Sequence, residues 1–259
     1  MKGQHNPLNL FEFEKLAKEF LSKGEFDFIA GGATDEITVE RTRKIYDSIT
    51  LRPRVLTDVS KVDTSIKVLG ESIRFPLLLA PSGGHGRSHP EGELATARAA
   101  GRLGIGMILS INASYTLEEV AAVASGPKWF QQYMFVDRGL TRSISERAKE
   151  EGYTALCITV DTKGVQPKRE RNIRNKYAIT NSPNLPGLEE GIWDNVSGAS
   201  LYDYGLSDPC ADWNYLEWLV SNTTLPPDKS SKELPAGIDT SLTKKAVPFA
   251  TLLAPPLFD

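Results

Sequence analysis

The sequence predicts an α/β fold in which N-terminal helices precede four βα units on a parallel sheet, with an irregular tail behind them. Three observations carry that expectation. Residues 77–80 (LLLA) are a continuous apolar run, the pattern of a strand covered on both faces. Pro81, Ser82, Gly83 and Gly84 then lead into an apolar-periodic helix over 94–103, stopped at Gly104. The same alternation recurs three more times without antiparallel turn chemistry, which implies right-handed crossovers and parallel pairing.

At the N-terminus, Asn9 can cap a helix to about residue 22 that carries Phe13, Leu16, Ala17, Phe20 and Leu21 on one face. A short helical segment spans 26–30, closed by Gly31 and Gly32, and a third helix starts near Thr34. Residues 66–69 and Ile73 flank Gly70 as a small hairpin. Ser88 and Glu91 have capping-box spacing at the start of the first long helix, with Pro90 in its first turn. Strands are expected over 106–110, 129–135 and 155–161, with helices over 116–124 and 140–150 between them and another over 213–222. No strand begins near Leu225. Prolines punctuate residues 226–259, whose one buried-strand run is 249–254. The chain therefore divides into 1–225 and a tail over 226–259. Such a half barrel should leave unpaired edges at its first and fourth strands.

Composition excludes several function classes. A net charge of −3 over 259 residues offers no electrostatic footprint for nucleic acid. No apolar run reaches the length of a membrane span. Cys157 and Cys210 lack metal or redox spacing, so a reducing compartment and no metal site are expected. The N-terminus turns amphipathic where a signal peptide needs an apolar core, which places the chain in the cytoplasm by expectation.

The polar residues fall in one place. Ser82, Ser110, Gln131 with Tyr133, and Thr159 with Asp161 all lie at or near the carboxyl ends of expected strands. In a parallel α/β barrel, that rim binds ligands. Each alone is an ordinary strand-ender or helix cap; four in register point to a ligand. The basic stretch over 163–177 is either a solvated surface or a loop whose arginine grips a carboxylate or phosphate.

Several stretches together bring a family into view: DFIAGGATDE, LRPRVL, FPLLLAPSG, HPEGELATARAA, LEEVA, FQQYMFVDR, ITVDT and RERNIRN. Their order and spacing resemble the FMN-dependent 2-hydroxy-acid oxidases and dehydrogenases. The resemblance implies a TIM (β/α)8 barrel with FMN at its carboxyl rim, of which this chain carries about four units. By position, Pro81, Ser82 and Gly83 would line the flavin through their backbone. Ser110, Gln131 and Thr159 would contact the isoalloxazine ring. Tyr133 and Asp161 would sit beside the substrate and the catalytic base, and Arg169 would clamp the substrate carboxylate. The implied reaction oxidises a small L-2-hydroxy acid of the lactate or glycolate type to the 2-oxo acid. The implied partners are that substrate and further copies of the chain, with no nucleic acid or membrane.

The chain departs from the family pattern at three places. Phe28 stands where many members place a tyrosine, and Asn112 where many place a bulky aromatic; both would line the substrate pocket. Beyond Leu225 there is no strand-five lysine in context, no Ser-Asn-His-Gly segment with the base histidine, and no phosphate loop. Two readings fit these departures. One is a truncated, impaired oxidoreductase; the other is a non-catalytic fragment that binds flavin or serves as an assembly partner.

Overall fold

A computed structural model of the protein describes residues 6–161, 182–185, 206–223 and 251–253. These fall into two compact units, residues 6–57 and the described residues from Asp58 onward. In the first unit, α1 (Leu10–Phe20), α2 (Lys23–Ala30) and α3 (Ile37–Lys44) succeed one another, and α3 tightens into a 3-10 turn, Ile45–Ser48. Asn9 caps α1 by accepting the Phe11 and Glu12 N–H groups. Ser22 and Glu25 close a capping box at α2, which starts three residues earlier than the apolar pattern alone suggests.

The second unit opens with a hairpin, β1 (Ile66–Val68) and β2 (Glu71–Ile73). Its two turn residues, Leu69 and Gly70, both have positive φ (49° and 83°), the two-residue turn whose twist matches the flanking strands. Next comes a five-stranded sheet in the order β3 (Leu78–Leu79), β4 (Gly106–Ser110), β5 (Lys128–Gln132), β6 (Leu156–Thr159) and β7 (Thr251–Leu253). From β3 to β6 all pairings are parallel. The connecting helices are α4 (Gly92–Leu103), α5 (Leu117–Val123) and α6 (Arg138–Glu150), and α7 (Trp213–Thr223) packs on α6. This is the βα succession of a TIM barrel, four parallel strands long.

Strand alternation divides the side chains of the sheet between two faces. Met107 and Leu109 line a small cavity toward α4 and α5, together with Ala97, Val120 and Tyr153. On the other face Ile108, Trp129, Ala155 and Cys157 form a buried cluster against Val68, Leu69 and Leu78. The Trp129 indole N–H donates to Glu71 at 3.2 Å, which fastens the hairpin to this face. Burying a side chain such as Ile108 contributes about 1.5–3 kcal/mol, so the cluster fixes sheet and hairpin together.

Four expectations need correction. The first strand is two residues long and only partly buried, and Leu77 is half exposed. Among the described residues β3 is the edge of the sheet, as expected of the first strand, but Leu78 and Leu79 are each only half-buried. The Ser88–Glu91 capping box does not form: α4 begins at Gly92, and the Glu91 carboxylate pairs with Arg98 instead. The third strand stops at Gln132, and Phe135 turns away to bridge Ser207. Finally, the fourth strand's edge is occupied. β7 comes from the apolar run over 249–254 and pairs antiparallel with β6, Thr159 opposite Thr251 and Cys157 opposite Leu253. An open edge presents unpaired N–H and C=O groups, and the tail's one β-prone run satisfies them.

Candidate functional site

The strand face that buries Ile108, Trp129 and Cys157 continues, two residues further along each strand, to Ser110, Gln131 and Thr159. Apolar packing thus gives way to polar groups at the carboxyl tips. The Ser110 Oγ donates to Gln131 Oε1 at 3.0 Å, and Gln131 Nε2 donates to Thr159 Oγ1 at 2.9 Å. Three neighbouring strands are thereby tied by one continuous side-chain chain. Ser110 and Gln131 are buried and Thr159 half-buried.

The polarity of this chain is fixed by the backbone. The Ile111 N–H donates to Gln131 Oε1 at 3.3 Å, and an N–H can only face the oxygen end of the amide. The Asn112 N–H in turn donates to Ser110 Oγ at 3.2 Å, which leaves the serine proton for Gln131. Two hydrogens remain without a partner among the described residues, the second N–H of Gln131 and the Thr159 hydroxyl proton. The cluster is therefore a donor edge.

The loop after β3 leans on the same tip. The Gly84 N–H donates to the Asn112 carbonyl at 3.0 Å. A Cβ on Gly83 would stand 2.7 Å from Asn112 Cβ and 2.8 Å from its carbonyl oxygen, so only glycine allows this approach. Ser82 and Gly83 are exposed beside that contact and Pro81 is half-buried. The loop's far end is held by Glu93, wholly buried on α4, whose Oε1 accepts the His85 N–H at 2.9 Å. The His85 ring bonds Thr96 at 3.1 Å.

The other expected residues are more dispersed. Asn112 is half-buried, and its Oδ1 is buried without a hydrogen-bond partner among the described residues. Tyr133 is half-buried just past β5, and Asp161 is exposed two residues past β6. Phe28 lies in the first unit on α2, about 43% exposed. Arg169 lies outside the described residues.

Sequence reasoning missed two residues here, Ser182 and Asn184, both buried. They follow the fourth strand in the chain, and nothing in their local sequence ties them to β4. A burial or hydrogen-bond signal across about 70 positions is invisible to periodicity, which reads only near neighbours.

A family model described as FMN-dependent dehydrogenase matches residues 17–227. An L-lactate oxidase of Nostoc sp. is 44% identical over 236 residues, covering 87% of this chain and 64% of its own length. A peroxisomal (S)-2-hydroxy-acid oxidase of Oryza sativa subsp. japonica is 41% identical over 223 residues, covering 85% of this chain and 61% of its own length. The chain thus spans less than two thirds of these curated relatives. A solved structure of a soluble mutant of the membrane-associated (S)-mandelate dehydrogenase from Pseudomonas putida superposes with a TM-score of 0.73 at 32% identity. That match covers 85% of this chain and 62% of the other. Among the described residues no helix is long and apolar enough to cross a membrane.

Proposed function

The chain belongs to the FMN-dependent dehydrogenase family, and from that premise we propose that its strand-tip rim holds FMN for oxidation of a small L-2-hydroxy acid. The family's cofactor is FMN. The observation that carries the reading is the Ser110–Gln131–Thr159 chain with its two spare donor hydrogens. The pyrimidine edge of a flavin presents carbonyl oxygens and ring nitrogens, and a fixed donor edge suits that set. The close approach of Gly83 to Asn112 supports the same reading, because it brings the backbone of the loop after β3 against the tip of β4. FMN, when bound, supplies the two-electron redox chemistry.

The chain's own residues would divide the remaining work. Ser110, Gln131 and Thr159 orient the ring, with the backbone of Pro81, Ser82 and Gly83 along it. Tyr133 and Asp161 flank the substrate, Arg169 holds its carboxylate through a planar fork, and Asn112 lines the pocket. The small acid, of the lactate or glycolate type, is the proposed substrate, and the proposed compartment is the cytoplasm, in keeping with two free cysteines. The 259 residues include no Ser-Asn-His-Gly segment. A general base contributes about 10²–10⁴-fold, so turnover by this chain is proposed to be slower than its relatives' by at least about 100-fold. That observation favours a second reading, a flavin-binding or assembly module without turnover, in which residues 226–259 are unrelated in sequence to the family's barrel.

One experiment separates them. The chain is loaded with FMN and given L-lactate or glycolate without oxygen. Slow bleaching of the visible flavin band supports the oxidoreductase; a stable yellow protein supports the binding module. A chain that stays colourless after desalting sinks the oxidoreductase and the flavin-binding module and leaves the assembly role.

A further inference from the structure

The peptide of Ile111 joins Ser110 to Asn112 at the tip of β4, and it is held from both sides. Its N–H donates to the Gln131 carbonyl at 2.9 Å and to Gln131 Oε1 at 3.3 Å. Its carbonyl accepts Ser182 Oγ at 3.1 Å and Asn184 Nδ2 at 3.3 Å. Asn184 is fully buried. Its Nδ2 also donates to the Tyr115 carbonyl at 3.1 Å, and its Oδ1 accepts the Leu117 N–H at 2.7 Å. The Asn184 carbonyl is itself held by Arg147 at 3.3 Å, and Arg147 forks onto Glu118.

One side chain therefore closes the whole turn from residue 111 to 117, from the strand tip to the first residue of α5. The chemistry demands asparagine. Two donors and one acceptor at this reach exclude aspartate, which cannot donate, and serine, which donates once. The same turn carries Asn112, on which Gly83 and Gly84 rest, and Ile111, which orients Gln131. We propose that Asn184 is a positioning residue for the rim. By holding the turn shut it keeps Ser110, Gln131 and the Gly83–Gly84 backbone in register, and through them it sets flavin affinity. The last step rests on the flavin reading above; the closure of the turn does not.

The test uses the full chain, Asn184→Asp, and Ser145→Ala as a comparator that instead removes from α6 the acceptor of a buried bond donated by Gln132 on β5. Asn184→Asp keeps the shape and the acceptor but sets a carboxylate against two carbonyls. Local opening should speed amide exchange at Asn112 and Gly84 by about tenfold or more while Met107, Ile108 and Leu109 keep their protection. FMN affinity, read by quenching of flavin fluorescence, should fall about tenfold in Asn184→Asp and hold in Ser145→Ala. Unchanged exchange at Asn112 and Gly84, an equal rise across the sheet, or unaltered FMN affinity would each overturn the proposal. Should the aspartate variant not fold, Ser182→Ala removes one of the two donors on Ile111 and should show the same pattern more weakly. If the native chain takes up no FMN, the flavin reading fails, and the exchange pattern alone decides the role of Asn184 in the turn.

Discussion

The Ile111 N–H faces Gln131 Oε1 at 3.3 Å, and this contact determines that the amide presents its NH₂ end to Thr159. A backbone group on β4 thereby sets the hydrogen-bonding sense of a side chain on β5. The donor edge of the rim is a consequence of that relationship.

Gln131→Glu tests it most economically. Gln131 is 2% exposed, and glutamate would keep the acceptor toward Ile111 and Ser110 while placing an oxygen against Thr159. Desolvating that charge should cost about 2 kcal/mol or more, read as a lower urea midpoint with an unchanged slope. Gln131→Met, of similar reach but without polar atoms, should bind FMN at least about tenfold more weakly.

Gly83→Ala should be costly for a steric reason. The added methyl meets Asn112 Cβ and backbone oxygen under 3.0 Å, so the loop must back away. About 1–3 kcal/mol of stability should be lost, with weaker FMN retention after desalting. Ser82→Ala, one residue earlier and exposed, should leave the melting temperature within experimental error.

Stability should fall on the alkaline side. Burial pushes the Cys157 thiol up to about 12, above the usual value near 9 that it regains on unfolding. The unfolded chain then holds fewer protons, so this contribution is complete below about pH 8.5 and declines by about 1.4 kcal/mol per pH unit toward 12. Urea midpoints at pH 8.0 and 9.5 should show the decline, and Cys157→Ala should flatten it over that range. Native protein should react with a thiol reagent at Cys210 alone, because Cys210 is exposed and Cys157 buried.

The pairing of β7 with β6 should suppress aggregation. Leu252→Pro would break a three-residue strand and reopen the edge of β6. The variant should scatter light on storage at concentrations where the native chain stays clear; equal clarity would mean that β7 does not protect the edge.

Much of this fold was legible in the sequence because it is local. Apolar runs ended by polar residues located the tip of β4, and those of β5 and β6 to within about three residues, and parallel succession brought Ser110, Gln131 and Thr159 side by side. Where local patterns compete, the reading failed. Ser88 and Glu91 have capping spacing, yet Gly92 adopts φ +40° against Gly86, Glu91 turns to Arg98, and the helix starts later. Residues 77–80 read as a buried strand because four apolar residues carry no record of what covers them; here Leu78 and Leu79 are half-buried and Leu77 is exposed. The burial of Glu93 and the reach of Asn184 to Ile111 depend on contacts between distant segments, which no periodicity encodes.

The most direct measurement tracks the Gln131 side-chain amide by ¹⁵N–¹H NMR while FMN is added. If the rim holds the flavin, the free N–H of Gln131 shifts with saturation at the same concentration that quenches flavin fluorescence, and the N–H bonded to Thr159 moves less. Flavin binding that leaves both Gln131 protons in place would contradict a flavin site at these strand tips.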